Sequence, residues 1–480
     1  MTQTDQLYNE RLSRYLTTMR NEKPDKIPIR PFAAEFTGKY AGFTVQQITH
    51  DYNKAFEAVR KCAADFDWDA VVANMVYVWT GLTQALGLKY YGIPGVDIPP
   101  ETGFQYLEPD EENAFMKADE YDELIDGPTT FLYTKWLPRV SNDISSIDEP
   151  SSHRSNLTLV KGSMAMLQYF NDFGPQIDKL KSESGTVSAI AGIFKAPFDI
   201  IGDKLRGYIG LSMDMITQPE KVLAACEALM PHLYNVALNS ADPNHQVPIG
   251  FWMHRGCVPF ISPDQFNSHY WPTLKPIIEE LWKNGHQTLF YAEGDWTHHL
   301  QSFAELPERS IVFHADRSDI FKAHKIFGHK FCLSGGIPNG ALSYQTPADV
   351  RNYCKKVIDG VAQEGGYILD ASAIMQNDTS IENMQVMTDF VRDYGVYSSG
   401  SSNPVQTYPN IIPSSDSTFG NEYGMNRSIK KRMNAGVCIP WEEKLKEIPK
   451  FSGDIEIVKS IWEDIDSLGN MFIWHCLLSF

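Results

Sequence analysis

Eight short apolar runs recur between residues 27 and 370, and none shows the polar alternation of a half-exposed strand. They span 27–32, 69–74, 187–194, 247–254, 288–293, 310–314, 330–335 and 367–370. Such runs suit parallel strands covered on both faces. Helical patterns separate them. Ser262-Pro263-Asp264-Gln265 supplies an N-cap, a first-turn proline and a capping-box residue for a helix that ends near Gly285. Thr346-Pro347-Ala348-Asp349 opens another that ends near Gly360. Eight strand–helix units predict an α/β fold, a closed (β/α)8 TIM-type barrel, rather than an open sheet.

The barrel is expected over residues 1–397. Acids, prolines and an extra helical stretch over 157–181 predict an insertion near residues 90–180, beside the barrel mouth. The serine-rich segment 398–404 reads as a linker. It opens a C-terminal extension over 398–480, with an amphipathic helical pattern at 455–468.

The 480 residues carry a formal charge of −18, which disfavours nucleic acid and anionic membrane surfaces as partners. Seven cysteines without a CxxC pair point to reduced thiols and a cytoplasmic location. Residues 1–30 hold no apolar core of a secretory signal, and no run is long enough to span a bilayer.

In a barrel of this kind the strand carboxyl ends open onto one face, which carries the chemistry. Glu293 and His314 end consecutive runs and are candidate metal ligands. The structural alternatives are a strand-end carboxylate in an ion pair and a hydrogen-bonded core histidine. His254 or Asp370, each closing another run, is the candidate third ligand; Asp370 also reads as a helix N-cap. Cys257 forms only a weak His-x-x-Cys pattern with His254. Tyr291, His298 and His299 are candidate proton donors, with His298-His299 otherwise a solvated helix start. Tyr77, Trp79, Phe251 and Trp252 lie near strand ends and are candidate grips on a flat substrate, although such aromatics are more often core; Asn74 and Asp370 are further substrate-binding candidates.

Four stretches carry a resemblance to a known group of enzymes. They are Glu22-Lys23-Pro24-Asp25-Lys26-Ile27-Pro28-Ile29; Ala196-Pro197-Phe198-Asp199 with Leu205-Arg206-Gly207 and Gln218-Pro219-Glu220; Ile261-Ser262-Pro263 through Gly285 to Glu293-Gly294-Asp295; and Gly335-Gly336-Ile337-Pro338 with Thr346-Pro347 and Gly365-Gly366-Tyr367-Ile368-Leu369. In order and spacing the chain resembles the uroporphyrinogen decarboxylase superfamily, which implies a single (β/α)8 barrel. Its thiol-activating methyltransferases carry His-x-Cys-Gly at the end of the fifth strand and a further Cys near the last. Here those places read Tyr291-Ala292-Glu293-Gly294 and Asp370-Ala371-Ser372-Ala373. The decarboxylase's paired basic groups are reduced to Arg30, retained as a substrate-binding candidate.

The resemblance therefore implies the corrinoid-dependent methyltransferases of O-demethylation. A Zn2+ held by Glu293, His314 and His254 would polarise the oxygen of a small methylated donor, an aryl methyl ether. The methyl group would pass to the cobalt of a corrinoid. The corrinoid signature Asp-x-His-x-x-Gly does not occur in this sequence, so that cofactor is expected on a partner protein. Rival readings are a metal-independent decarboxylase and a non-catalytic barrel acting as an assembly partner. Homodimerisation is left open.

Overall fold

A computed structural model of the chain describes residues 2–75, 79–398 and 437–479. All eight expected strand positions are present, in parallel. Five of them pair consecutively: Ile249–Met253, Thr288–Ala292, Ile311–Ala315, Cys332–Gly335 and Tyr367–Ile368. The second position is Ala70–Val71, and it pairs with Val187–Ser188.

The third strand is split. Its first part, Val187–Ser188, lies against the second strand, and its second part, Ile193–Lys195, lies against the fourth. The chain changes partner around Gly192, whose φ is +72°. That conformation favours glycine. The first position is pinned by single bridges rather than a continuous ladder, because Pro28 and Pro31 offer no N–H. Arg30 N–H reaches Leu369 O at 3.1 Å and Leu369 N–H reaches Pro28 O at 2.9 Å. On the other side Asp69 N–H donates to Ile29 O at 3.0 Å. The first strand thus joins the eighth to the second, and the ring closes.

The helix Gln3–Met19 plugs the amino-terminal end of the barrel. Leu12, Tyr15, Leu16 and Met19 pack with Val187, Leu289, Val312 and Ile368 in the interior core. The Tyr15 hydroxyl donates to Ala189 O at 3.0 Å.

A buried carboxylate binds this plug to the closure. Asp69 accepts Ile29 N–H at 2.8 Å and Arg14 at 2.5 Å, and Arg392 pairs with it as an ion at 2.9 Å. Burial alone would raise its carboxyl, but Arg392 and Arg14 hold it below the ordinary aspartate value.

Two boundaries differ from expectation. The helix assigned to the insertion is the 32-residue His153–Ser184, and it returns the chain from the second to the third strand. It belongs to the barrel's own outer layer, and only the segment before it is added structure. The helix Ile455–Ser479 runs past its expected end at 468. Amphipathic periodicity fades there because both faces become buried: Ile473, Trp474 and Leu477 join the main hydrophobic core. Trp474 stacks on His232 at 4.5 Å and donates to the Thr129 hydroxyl at 3.0 Å.

Asp69→Asn leaves Arg14 and Arg392 facing a neutral amide. Urea titration at pH 7 is expected to show a loss of about 3–5 kcal/mol. Because the folded carboxyl titrates below its unfolded value, that stabilisation is complete above pH ~3.8 and vanishes as pH falls through the folded value. The gap between wild type and variant should therefore close only in acid.

Candidate functional site

Strand register sorts the barrel interior into layers. Trp252 pairs with Tyr291, and Tyr291 with His314. Their rings form a ladder: Trp252 and Tyr291 lie 5.4 Å apart at 18°, and Tyr291 and His314 lie 4.8 Å apart at 13°. Phe32 sets a T-shaped contact against all three, at 5.8, 5.0 and 5.1 Å. These rings make an aromatic floor beneath the mouth.

His314 is locked within that floor. Its Nε2–H donates to Ser372 O at 2.9 Å, and its Nδ1 accepts from the Ser334 hydroxyl at 2.9 Å. Ser334 in turn accepts from Arg30 at 2.7 Å. Burial first, and Arg30 second, push the imidazole well below the usual histidine range. With both nitrogens spent, His314 is a neutral core histidine here and is not brought to Glu293.

Arg30 and Asp370 lie in the same interior. Asp370 accepts Phe32 N–H at 3.1 and 3.2 Å, and Arg30 stands 3.6 Å from it. Burial raises the Asp370 carboxyl to about 7 in spite of Arg30. Arg30 lies face-on to Phe32 at 4.2 Å and is fully buried. Both are fully buried, so this placement supports neither the substrate-binding role expected of Arg30 nor a ligand or substrate-binding role for Asp370. The Tyr291 hydroxyl accepts Ile374 N–H at 2.7 Å. Asn74 donates to the Tyr169 hydroxyl at 3.2 Å, and Trp79 stacks on Tyr169 at 5.5 Å; both join a cluster against the helix His153–Ser184. Tyr77 lies outside the described residues. His299 is not a solvated helix start: it is buried and stacked on Phe266 at 3.8 Å.

The rim is one layer further out. Side chains two apart on a strand share a face, so the positions above Trp252, Tyr291 and His314 are His254, Glu293 and Asp316. Asp316 accepts Gly294 N–H at 2.8 Å. Burial raises its carboxyl, and Glu293 adds to the effect. Gly294 has φ +90°, and a Cβ there would stand 2.6 Å from Cys257 Sγ. Only glycine makes this turn without strain.

His254 is the centre of the rim. Its Nδ1 is 3.0 Å from Asp203 and its Nε2 is 3.5 Å from Glu293. The Nε2 atom is buried without a hydrogen-bond partner. Asp203 also receives Lys195, at the end of the third strand, at 2.7 Å and Arg255 at 2.6 Å. Burial alone would raise Asp203, but Lys195, His254 and Arg255 hold it well below the carboxylate range. It is therefore a permanent anion behind the imidazole. Arg255 is further tied to Glu108 of the added segment at 3.2 Å.

Of the three expected metal ligands, the structure brings together His254 and Glu293 only. Among the described residues no three His, Cys, Asp or Glu side chains converge as a metal site. The sequence reading missed Asp203, Lys195 and Asp316. Asp316 was within reach of a parity argument, two residues beyond His314. Asp203 lies on a helical turn after the third strand and carries no local signal.

A family model for uroporphyrinogen decarboxylase (URO-D) matches residues 135–394, more than half of the chain. The chain belongs to this family. A solved methyltransferase from Methanosarcina mazei is similar in fold: it shares 14% identity at a TM-score of 0.50, covering 79% of this chain and 98% of that one. No curated protein matches the chain. Within the URO-D barrel, the aromatic floor and the His254 rim occupy the carboxyl-end face where such barrels carry their chemistry.

Arg30→Met removes the cation that faces Asp370 and leaves a buried carboxylate. The expected loss is about 3–5 kcal/mol at pH 8. Asp370 has a raised folded value, so protonation relieves the variant as pH falls, and the deficit should shrink between pH 8 and 6. Chemical denaturation at the two pH values checks this.

Proposed function

We propose that this URO-D protein is a methyltransferase. In this reading it moves a methyl group from a small methylated donor, an aryl methyl ether, to the cobalt of a corrinoid carried by a partner protein. The observation that carries the reading is His254: backed by Asp203, its buried Nε2 has no hydrogen-bond partner and lies 3.5 Å from the half-exposed Glu293, one layer above stacked aromatic rings.

An aryl ether gives up its methyl only if the oxygen can leave. The phenolate that departs has a conjugate acid near pKa ~10, and its charge is costly at a partly dry rim. A proton delivered from His254 Nε2 as the C–O bond breaks removes that charge. The Asp203 carboxylate accepts from Nδ1–H, so it orients the ring and offsets its positive charge. Trp252 lies one layer below and offers a face to a flat ring. The cobalt(I) corrinoid, as second substrate, supplies the electron pair that takes the methyl group. Glu293 is half-exposed at 51% and the His254 side chain is 27% exposed, so a group presented by another protein would arrive over Glu293, with Nε2 buried beside it.

Zinc, which the family resemblance implies, does not fit the donors as they stand. A catalytic zinc commonly takes three protein ligands, whereas His254 and Glu293 are two, and His314 is spent in the core. Protonation by His254 supplies the charge stabilisation a Lewis acid would give. A polyanion-binding decarboxylase is less well supported. The rim cations Lys195 and Arg255 are each engaged by carboxylates, Asp203 and Glu108.

The test is a methoxybenzoate-type donor with cobalt(I) cobalamin, following phenol release. His254→Gln is expected to lower kcat by about 10²–10⁴-fold, and Asp203→Asn to lower it less. Carbon dioxide release without corrinoid would favour the decarboxylase. A stoichiometric zinc that is lost on Glu293→Ala would replace proton transfer by metal activation.

A further inference from the structure

His254 has a hydrogen-bond partner at Nδ1 only, with Nε2 3.5 Å from Glu293, so the direction of the ring depends also on the backbone beneath it. That backbone is the turn leaving the fourth strand, and a single buried side chain grips it. Asp199 Oδ1 accepts Arg255 N–H at 2.7 Å and Oδ2 accepts His254 N–H at 3.2 Å. Oδ2 also takes the Tyr270 hydroxyl at 3.0 Å. Asp199 is fully buried. We infer that Asp199 is a positioning residue, which fixes the His254–Arg255 turn and thereby aims His254 Nε2 at the rim.

The local architecture supports this assignment. Asp199 lies in the short helix Pro197–Ile200, which continues into the π-helical turn Ile201–Leu205 containing Asp203. Four residues separate the two carboxylates, which puts them on one face of the element. One holds the backbone of His254 and the other holds its ring. Displacing this element would shift both together. A π-turn of this kind widens the helix locally and is frequent at functional sites.

Two buried carboxylates side by side are costly. The molecule bears that cost with every oxygen of the pair engaged by a donor. The far side of the turn is equally fixed. A Cβ at Gly256 would stand 2.7 Å from both Tyr270 and Trp296. The turn therefore lies between Asp199 and two aromatic rings, and removing the carboxylate leaves two partly buried N–H groups without their acceptor.

The inference rests on the role given to His254, and its experiment separates the two. Hydrogen exchange at the His254 and Arg255 amides is measured for the full-length protein and for Asp199→Asn, Asp199→Ala and Tyr270→Phe. Steady-state kinetics with the methoxybenzoate donor accompany it. Asp199→Ala should expose both amides and lower kcat by about 100-fold, with KM nearly unchanged. Asp199→Asn should restore part of the protection and part of the rate. Tyr270→Phe, which keeps both backbone bonds, should lose less than either.

Wild-type exchange and wild-type kcat in Asp199→Ala would overturn the inference. If Asp199→Ala fails to fold, Asp199→Asn decides: unchanged amide protection and kcat there count equally against it. If the wild-type protein transfers no methyl group while exchange changes as expected, the proposed reaction fails and the positioning of the turn stands.

Discussion

Closure of the barrel rests on an ionised aspartate in a place without water. Asp69 ends the approach to the second strand, accepts the N–H of the first, and meets arginines from the helices Gln3–Met19 and Ile381–Tyr394. Parallel ladders hold neighbouring strands, but the first strand has two prolines and few ladder bonds. The electrostatic knot at Asp69 supplies what the ladder lacks. It also seats the plug, so the lower end of the barrel and its seam are secured by one group. The rings above depend on that seam, because Phe32 reaches Trp252, Tyr291 and His314 only when the first strand is in register.

Much of this was legible in the sequence. Apolar runs covered on both faces are hard to mistake when eight occur in order, and capping boxes at Ser262 and Thr346 mark helix starts as written. What could not be read was which helix closes which unit. The stretch over 157–181 looks like an addition because acids and prolines precede it, yet the helix His153–Ser184 is the ordinary return to the third strand. Nothing local in a helix states its neighbours.

The site was less legible, for a geometric reason. Strand ends can be located to within a residue or two, and at a strand end two residues separate the floor from the rim. The apolar run that stops at His314 places this residue at the rim by sequence alone. The strand continues to Ala315, so the inward place at the rim belongs to Asp316. His254 and Glu293 lie together one layer further out, 3.5 Å apart. Their partner Asp203 comes from a turn after a different strand, a contact that only the closed barrel creates.

Phe32 and Asp370 are hydrogen-bonded although 338 residues separate them. On the ribosome, the first strand must wait for nearly the whole barrel before its partner exists. The plug helix waits as well, since its contacts Leu289, Val312 and Ile368 are made late. Until then an apolar helix face and an unpaired strand are open to wrong neighbours, and long-range pairing of this kind folds slowly. Residues 3–32 are thus the part of the fold that depends most on contacts made late, so slow closure leaves this helix face and strand exposed longest.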